Sequence, residues 1–182
     1  MTTYAVLIKN RTSSMNIDSL NRSAIIGTDL GNGSIFRLDT QSGSSGYDEV
    51  WDCTQVSANG STLDRVWMAG SPEVGTVTVG SSDYRGLNPD PRNFYNDADK
   101  VFDAFKPSVG DVITLTATAI SGSPSTGTYV IPTSGSWSME WAASATSSAL
   151  SLKQLSETYV TIGTGAIATE RVLAYKLEVL AN

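Results

Sequence analysis

The sequence contains no histidine. That absence removes the Ser-His-Asp triad, the Cys-His dyad, most zinc sites and the side chain best placed to shuttle protons near neutral pH. The Ser-Lys alternative lacks its usual spacing, because none of Lys9, Lys100, Lys106, Lys153 and Lys176 follows a serine by three residues. Cysteine is almost as scarce. Cys53 stands alone, so no internal disulfide can form. Charge is sparse too, at 16% of residues against about 25% in an average globular chain. No stretch approaches the roughly 18 apolar residues of a membrane-spanning helix. The first apolar run, residues 4–8, falls short of the roughly 7–15 residues of a secretion-signal core. The expectation is a protein made in a cytoplasm that stays there, or that leaves by lysis inside a particle. The net charge of −6 and pI near 4.5 argue against nucleic acid as a partner, which would need a basic face. The twelve Lys and Arg residues form no run.

What remains is a chain in which Ser, Thr and Gly make up about a third of the residues. Thr suits a pleated, half-buried surface, and Gly and Ser suit turns. Short strand-like runs recur at 4–9, 24–27, 35–38, 50–56, 66–69, 112–120, 128–131, 137–142, 150–155, 159–162 and 172–180. Turn residues such as Gly31-Asn32-Gly33 and Asn59-Gly60 separate them. This spacing predicts a mainly β fold, an antiparallel sandwich or barrel, as one domain over 1–182. In 112–120, Ile113, Leu115, Ala117 and Ala119 point to one side, and Thr114, Thr116 and Thr118 to the other. Trp137, Met139 and Trp141 form a second alternating face. The last segment also fits a helix through Leu173, Leu177 and Leu180, but the alternation Leu173, Tyr175, Leu177, Val179 favours a strand.

One α-helix is predicted near 97–106. Ala98, Val101, Phe102 and Phe105 recur at helical spacing, Asn96 can cap the start, and Asp97 and Asp99 suit the positive end of the dipole. Lys106 suits the other end, and Pro107 forbids continuation. Residues 81–96 read as an extended, ordered loop, too apolar at Tyr84, Leu87, Phe94 and Tyr95 to be a solvated linker. A pseudo-division of the chain falls near this loop.

Few constellations could carry chemistry. A glycosidase needs two carboxylates flanking a sugar, and Asp90, Asp97, Asp99, Asp103 and Glu140 are the candidates. Asp97 and Asp99 are more simply helix-end charges. A calcium site from Asp90, Asp97 and Asp99 is chemically allowed, but EF-hand spacing is absent. Gly163-Thr164-Gly165-Ala166-Ile167-Ala168 matches the dinucleotide fingerprint, yet up to Asn182 there is no room for the helix, second strand and acid it requires. It reads as a tight turn between antiparallel strands. Trp51 and Cys53 share one strand face, where a buried, inert thiol is the simple reading. Trp67, Trp137 and Trp141 read as core rather than as sugar-stacking platforms. No enzymatic activity, metal or cofactor is expected.

Three stretches carry a resemblance. They are Tyr4-Ala5-Val6-Leu7-Ile8-Lys9-Asn10, the segment from Tyr84-Arg85-Gly86-Leu87 to Arg92-Asn93-Phe94-Tyr95-Asn96, and the segment from Val101-Phe102-Asp103-Ala104-Phe105 to Val112-Ile113. Together they resemble tailed-bacteriophage virion proteins of the capsid decoration, or auxiliary head, group. The resemblance is one of texture over most of the chain, with no catalytic residue to carry over. It implies a protein on the outer capsid surface, made in the bacterial host cytoplasm, that reinforces the head. Its partners would be the major capsid protein and copies of itself. A tail-tube subunit, a head-fibre protein and a carbohydrate-binding module are the competing readings. Tyr84, Arg85, Leu87, Arg92, Phe94 and Tyr95 are the expected contact residues, because the loop is long, apolar-tinged and carries two arginines.

Overall fold

The structure, a computed structural model, describes residues 4–41, 49–56, 65–79, 81–87, 90–124, 127–145, 148–163 and 169–182. Alternating apolar residues, which suit a pleated surface buried on one side, build two large sheets and a separate hairpin. The first sheet has the order β1-β9-β14-β13-β11-β12-β10. Its strands are β1 (Leu7–Arg11), β9 (Val112–Thr116), β10 (Ile120–Ser121), β11 (Tyr129–Pro132), β12 (Met139–Ala142), β13 (Ser151–Gly163) and β14 (Thr169–Ala181). The second sheet closes into a barrel, β2-β4-β3-β5-β8. It comprises β2 (Asn21–Ile25), β3 (Ile35–Gln41), β4 (Val50–Thr54), β5 (Trp67–Ala69) and β8 (Phe102–Phe105). The hairpin pairs β6 (Val74–Val79) with β7 (Ser82–Leu87), from Val74↔Leu87 to Val79↔Ser82. Pairing is mostly antiparallel; β2 with β4 and β10 with β12 run parallel.

Period-2 alternation lets three barrel strands serve two cores. Phe36, Trp67, Ala69, Phe102 and Ala104 belong to one cluster, with Ala24, Ile26 and Leu30. Their neighbours Ile35, Met68 and Phe105 belong to the other, with Leu115, Met139, Trp141, Tyr175 and Leu177 of the large sheet. The barrel wall thus packs against the seven-stranded sheet, and neither core can lose β3, β5 or β8 alone. The backbone must come close where they meet. Gly33 has φ +83°, and a Cβ there would lie 2.6 Å from Leu115 Cδ2. Asn182 adds a polar tie: its side chain accepts from Val66 N–H at 2.8 Å and donates to the carbonyls of Val66 at 2.8 Å and Pro107 at 2.7 Å.

The expected helix near 97–106 is not formed, and no α-helix occurs among the described residues. Residues Phe102–Phe105 are instead a barrel strand, paired with β2 from Ala24↔Phe102 to Asn21↔Phe105 and with β5 at Met68↔Phe105. The four residues that suggested the helix also fit a strand, since Phe and Val are strong strand formers. Burial decides between them: Phe102, Ala104 and Phe105 are buried, while Val101, which a helix would have put on the core face, is 42% exposed. Asp99 has φ +57°, outside helical space. Asn96 caps nothing; it is buried, bridges to Leu30, and its side chain donates to the Leu30 carbonyl at 2.9 Å.

Other expectations need smaller corrections. The strand expected over 112–120 ends at Thr116, whose buried hydroxyl accepts from Val6 N–H at 2.9 Å, and a 3-10 turn at Ala117–Ala119 follows. The expected loop 81–96 contains β7 and a 3-10 turn at Pro91–Asn93. Trp141 and Met139 are core, but Trp137 precedes β12 and is only half-buried. The last segment is a strand, and β13 and β14 pair antiparallel as far as Gly163↔Thr169. Residues 164–168 of the expected turn lie outside the described residues.

Candidate functional site

The 82–96 segment is organised around one charged clamp. Asp90 caps the 3-10 turn, accepting from Arg92 N–H at 2.9 Å. The same carboxylate takes the Arg92 guanidinium in a fork, Nε to Oδ1 at 3.0 Å and Nη2 to Oδ2 at 2.8 Å. Arg92 Nη1 reaches across to Glu170 on β14 at 2.9 Å. This double pairing raises the Arg92 pKa, with the bond to Asp90 as the main cause. The guanidinium bond in turn holds Asp90 below its usual range, against a smaller opposing effect of desolvation. Arg92 therefore ties the segment to the large sheet. Two further contacts fix it: Tyr4 N–H donates to the Arg92 carbonyl at 2.8 Å, and the Tyr4 and Tyr95 rings lie 5.1 Å apart.

The six expected contact residues are divided by this arrangement. Phe94 is buried, and Arg92 is engaged inside the chain. Tyr95 is 38% exposed. It lies with the exposed Val74 and Val101 on a mostly polar groove of about 520 Å³, also lined by Phe94 and by the charged Asp97, Asp99, Lys100 and Asp103. Tyr84, Arg85 and Leu87 lie on β7, beside this groove through the Val74↔Leu87 pair, but their side chains lie outside the described residues. Among the described residues, the β6–β7 hairpin pairs with no other strand. Val74 and Val101 were missed in the sequence because each looks like a core residue.

Of the candidate carboxylates, Asp97, Asp99 and Asp103 line the Tyr95 groove, while Asp90 and Glu140 lie elsewhere. Asp90 serves Arg92, Asp103 points outward from β8, and Glu140 sits on β12 in the other sheet. The Ala98 N–H donates to Asp29 at 3.0 Å, which ties the turn carrying Asp97 and Asp99 to a residue distant in sequence. Among the described residues no three His, Cys, Asp or Glu side chains gather as a metal site. Cys53 is half-buried against the barrel core. Burial pushes its thiol pKa up to about 12, partly offset by a backbone hydrogen bond from Ile25, so the thiolate needed for reactivity is scarce at neutral pH. Comparison of the chain with family models, with curated proteins and with solved structures finds no match.

Proposed function

We propose that this chain is a structural protein of a tailed-phage virion that binds the outer surface of the capsid and stabilises the shell. Its partners are the major capsid protein and further copies of itself. It needs no cofactor and catalyses no reaction. The observation that carries this reading is the groove at Tyr95. The exposed Val74, Tyr95 and Val101 sit there among charged side chains, the mixture of apolar anchors and polar surround found at protein contact surfaces, beside a hairpin that pairs with no other strand among the described residues. The acidic balance adds to it: a lining protein would meet packaged DNA, and a net charge of −6 is repelled by phosphate. The resemblance of the three sequence stretches to decoration proteins points the same way.

Limited proteolysis of intact virions tests the location. The protein should be cut while the head still holds its DNA. Cleavage only after DNA release would place it inside and end this reading.

A further inference from the structure

A second, larger cleft of about 770 Å³ opens elsewhere on the surface and is, like the groove, mostly polar. It crosses the barrel wall where β3, β4, β2 and β8 lie side by side. The register brings Trp51 opposite both Gln41 and Ala24, and Ser23 opposite Asp103. The 3-10 turn at Asp18–Leu20 and Lys9 of β1 complete its rim. Among the described residues Trp51 is the one aromatic lining it, and it is only half-buried.

Three of the lining side chains, Lys9, Asn21 and Arg22, are already held by contacts within the chain. Lys9 Nζ donates to the Gly70 carbonyl at 2.7 Å and sits 5.2 Å from the Phe105 ring centre. Arg22 donates to the Asn21 carbonyl at 2.8 Å and lies over the Trp67 ring at 5.9 Å. Asn21 donates to the Ser14 carbonyl at 2.8 Å. The carboxylates of Asp18, Glu49 and Asp103 also line the cleft, and no ion pair among the described residues engages them.

We propose that this cleft binds a neutral carbohydrate, with Trp51 as the stacking platform and Asp18, Glu49 and Asp103 as acceptors for sugar hydroxyls. The chemistry follows from the residue types. An ionised carboxylate only accepts hydrogen bonds, and a sugar ring offers many O–H donors. The same ring presents an axial C–H face that packs on an indole, which supplies apolar area beside a polar tip. Among the described lining residues two cations face three carboxylates, a slightly negative balance that selects against sulfated and sialylated glycans. Asp103 lines both this cleft and the Tyr95 groove, whereas Trp51, Asp18 and Glu49 line the cleft and not the groove, so variants at Trp51 and Asp18 test this site separately from the capsid-binding reading.

The experiment is an NMR titration of the full chain with cellohexaose, maltohexaose and chitotriose, with a heparin hexasaccharide and pentalysine as charged probes. At least one neutral sugar should shift the Trp51 indole N–H saturably. Trp51→Ala should weaken that sugar's Kd about tenfold or more, as truncation of a central aromatic anchor does. Asp18→Asn, which keeps shape and fold, should weaken it also. Tyr159→Ala, an exposed aromatic on β13, should leave it unchanged. The proposal is overturned if no neutral sugar shifts the Trp51 signal at about 10 mM, where even weak millimolar binding registers. It is equally overturned if Trp51→Ala and Asp18→Asn bind as the wild type does, or if heparin or pentalysine binds the cleft more tightly.

Discussion

Two residues report their environment through pH. Cys53 has its pKa raised by burial, so the native state holds the thiol proton more tightly than the unfolded chain does. Its contribution is fully present below the unfolded thiol value of about 8.5 and is lost as pH rises towards about 12. Urea midpoints should therefore fall over that alkaline range and fall less steeply in Cys53→Ala, while a thiol reagent at pH 7 should label the native protein slowly. Asp90 works in the opposite direction. Arg92 lowers its folded pKa, so its contribution is present above the unfolded carboxyl value of about 3.9 and is lost as pH falls through the folded value. The stability gap between wild type and Asp90→Asn should be open at pH 6 and close in acid; a gap that stays constant down to pH 2 would mean the Arg92 clamp contributes nothing.

The β8 element carries the sharpest contrast between sequence and fold. Phe105→Ala should cost about 3–5 kcal/mol in urea unfolding, because its side chain is fully buried in the shared core. Val101→Ala should change stability by less than about 0.5 kcal/mol, since it is exposed on the strand flank. Equal losses at both positions would restore the helix. Strands with one buried face were legible because their pattern is local: Ile113 and Leu115, Met139 and Trp141, and Tyr175, Leu177 and Val179 all lie where the alternation places them. Residues 98–105 satisfied two periods at once, and only pairing with β2 and β5, both distant in sequence, selects the strand. The β6–β7 hairpin was read partly as loop for the same reason, since its pairing partner rather than its composition defines β7. Of the expected contact set, Tyr95 is on the surface while Phe94 turned inward, a difference that one-residue alternation produces and loop composition cannot reveal. The Trp51 cleft left no sequence signal, because its lining is drawn from residues spread between Lys9 and Ala104.

At the scale of the molecule, a chain with a single cysteine must draw its robustness from packing and from neighbours. Binding that favours only the folded state stabilises it by mass action, and repetition over a symmetric shell multiplies a modest contact. Virions lacking the protein should accordingly release DNA at lower temperature than those carrying it; equal thermal release would remove the cementing role even if the location holds. Co-sedimentation of the purified protein with DNA-free capsid shells that lack it tests whether the outer surface of the head is its binding site. Binding to the shells should be saturable, and weakened about tenfold or more in a Tyr95→Ser, Val101→Ser variant that still unfolds cooperatively, as loss of an apolar anchor predicts. No binding to the shells, unchanged binding by that variant, or self-assembly into tubes in their absence would contradict that placement.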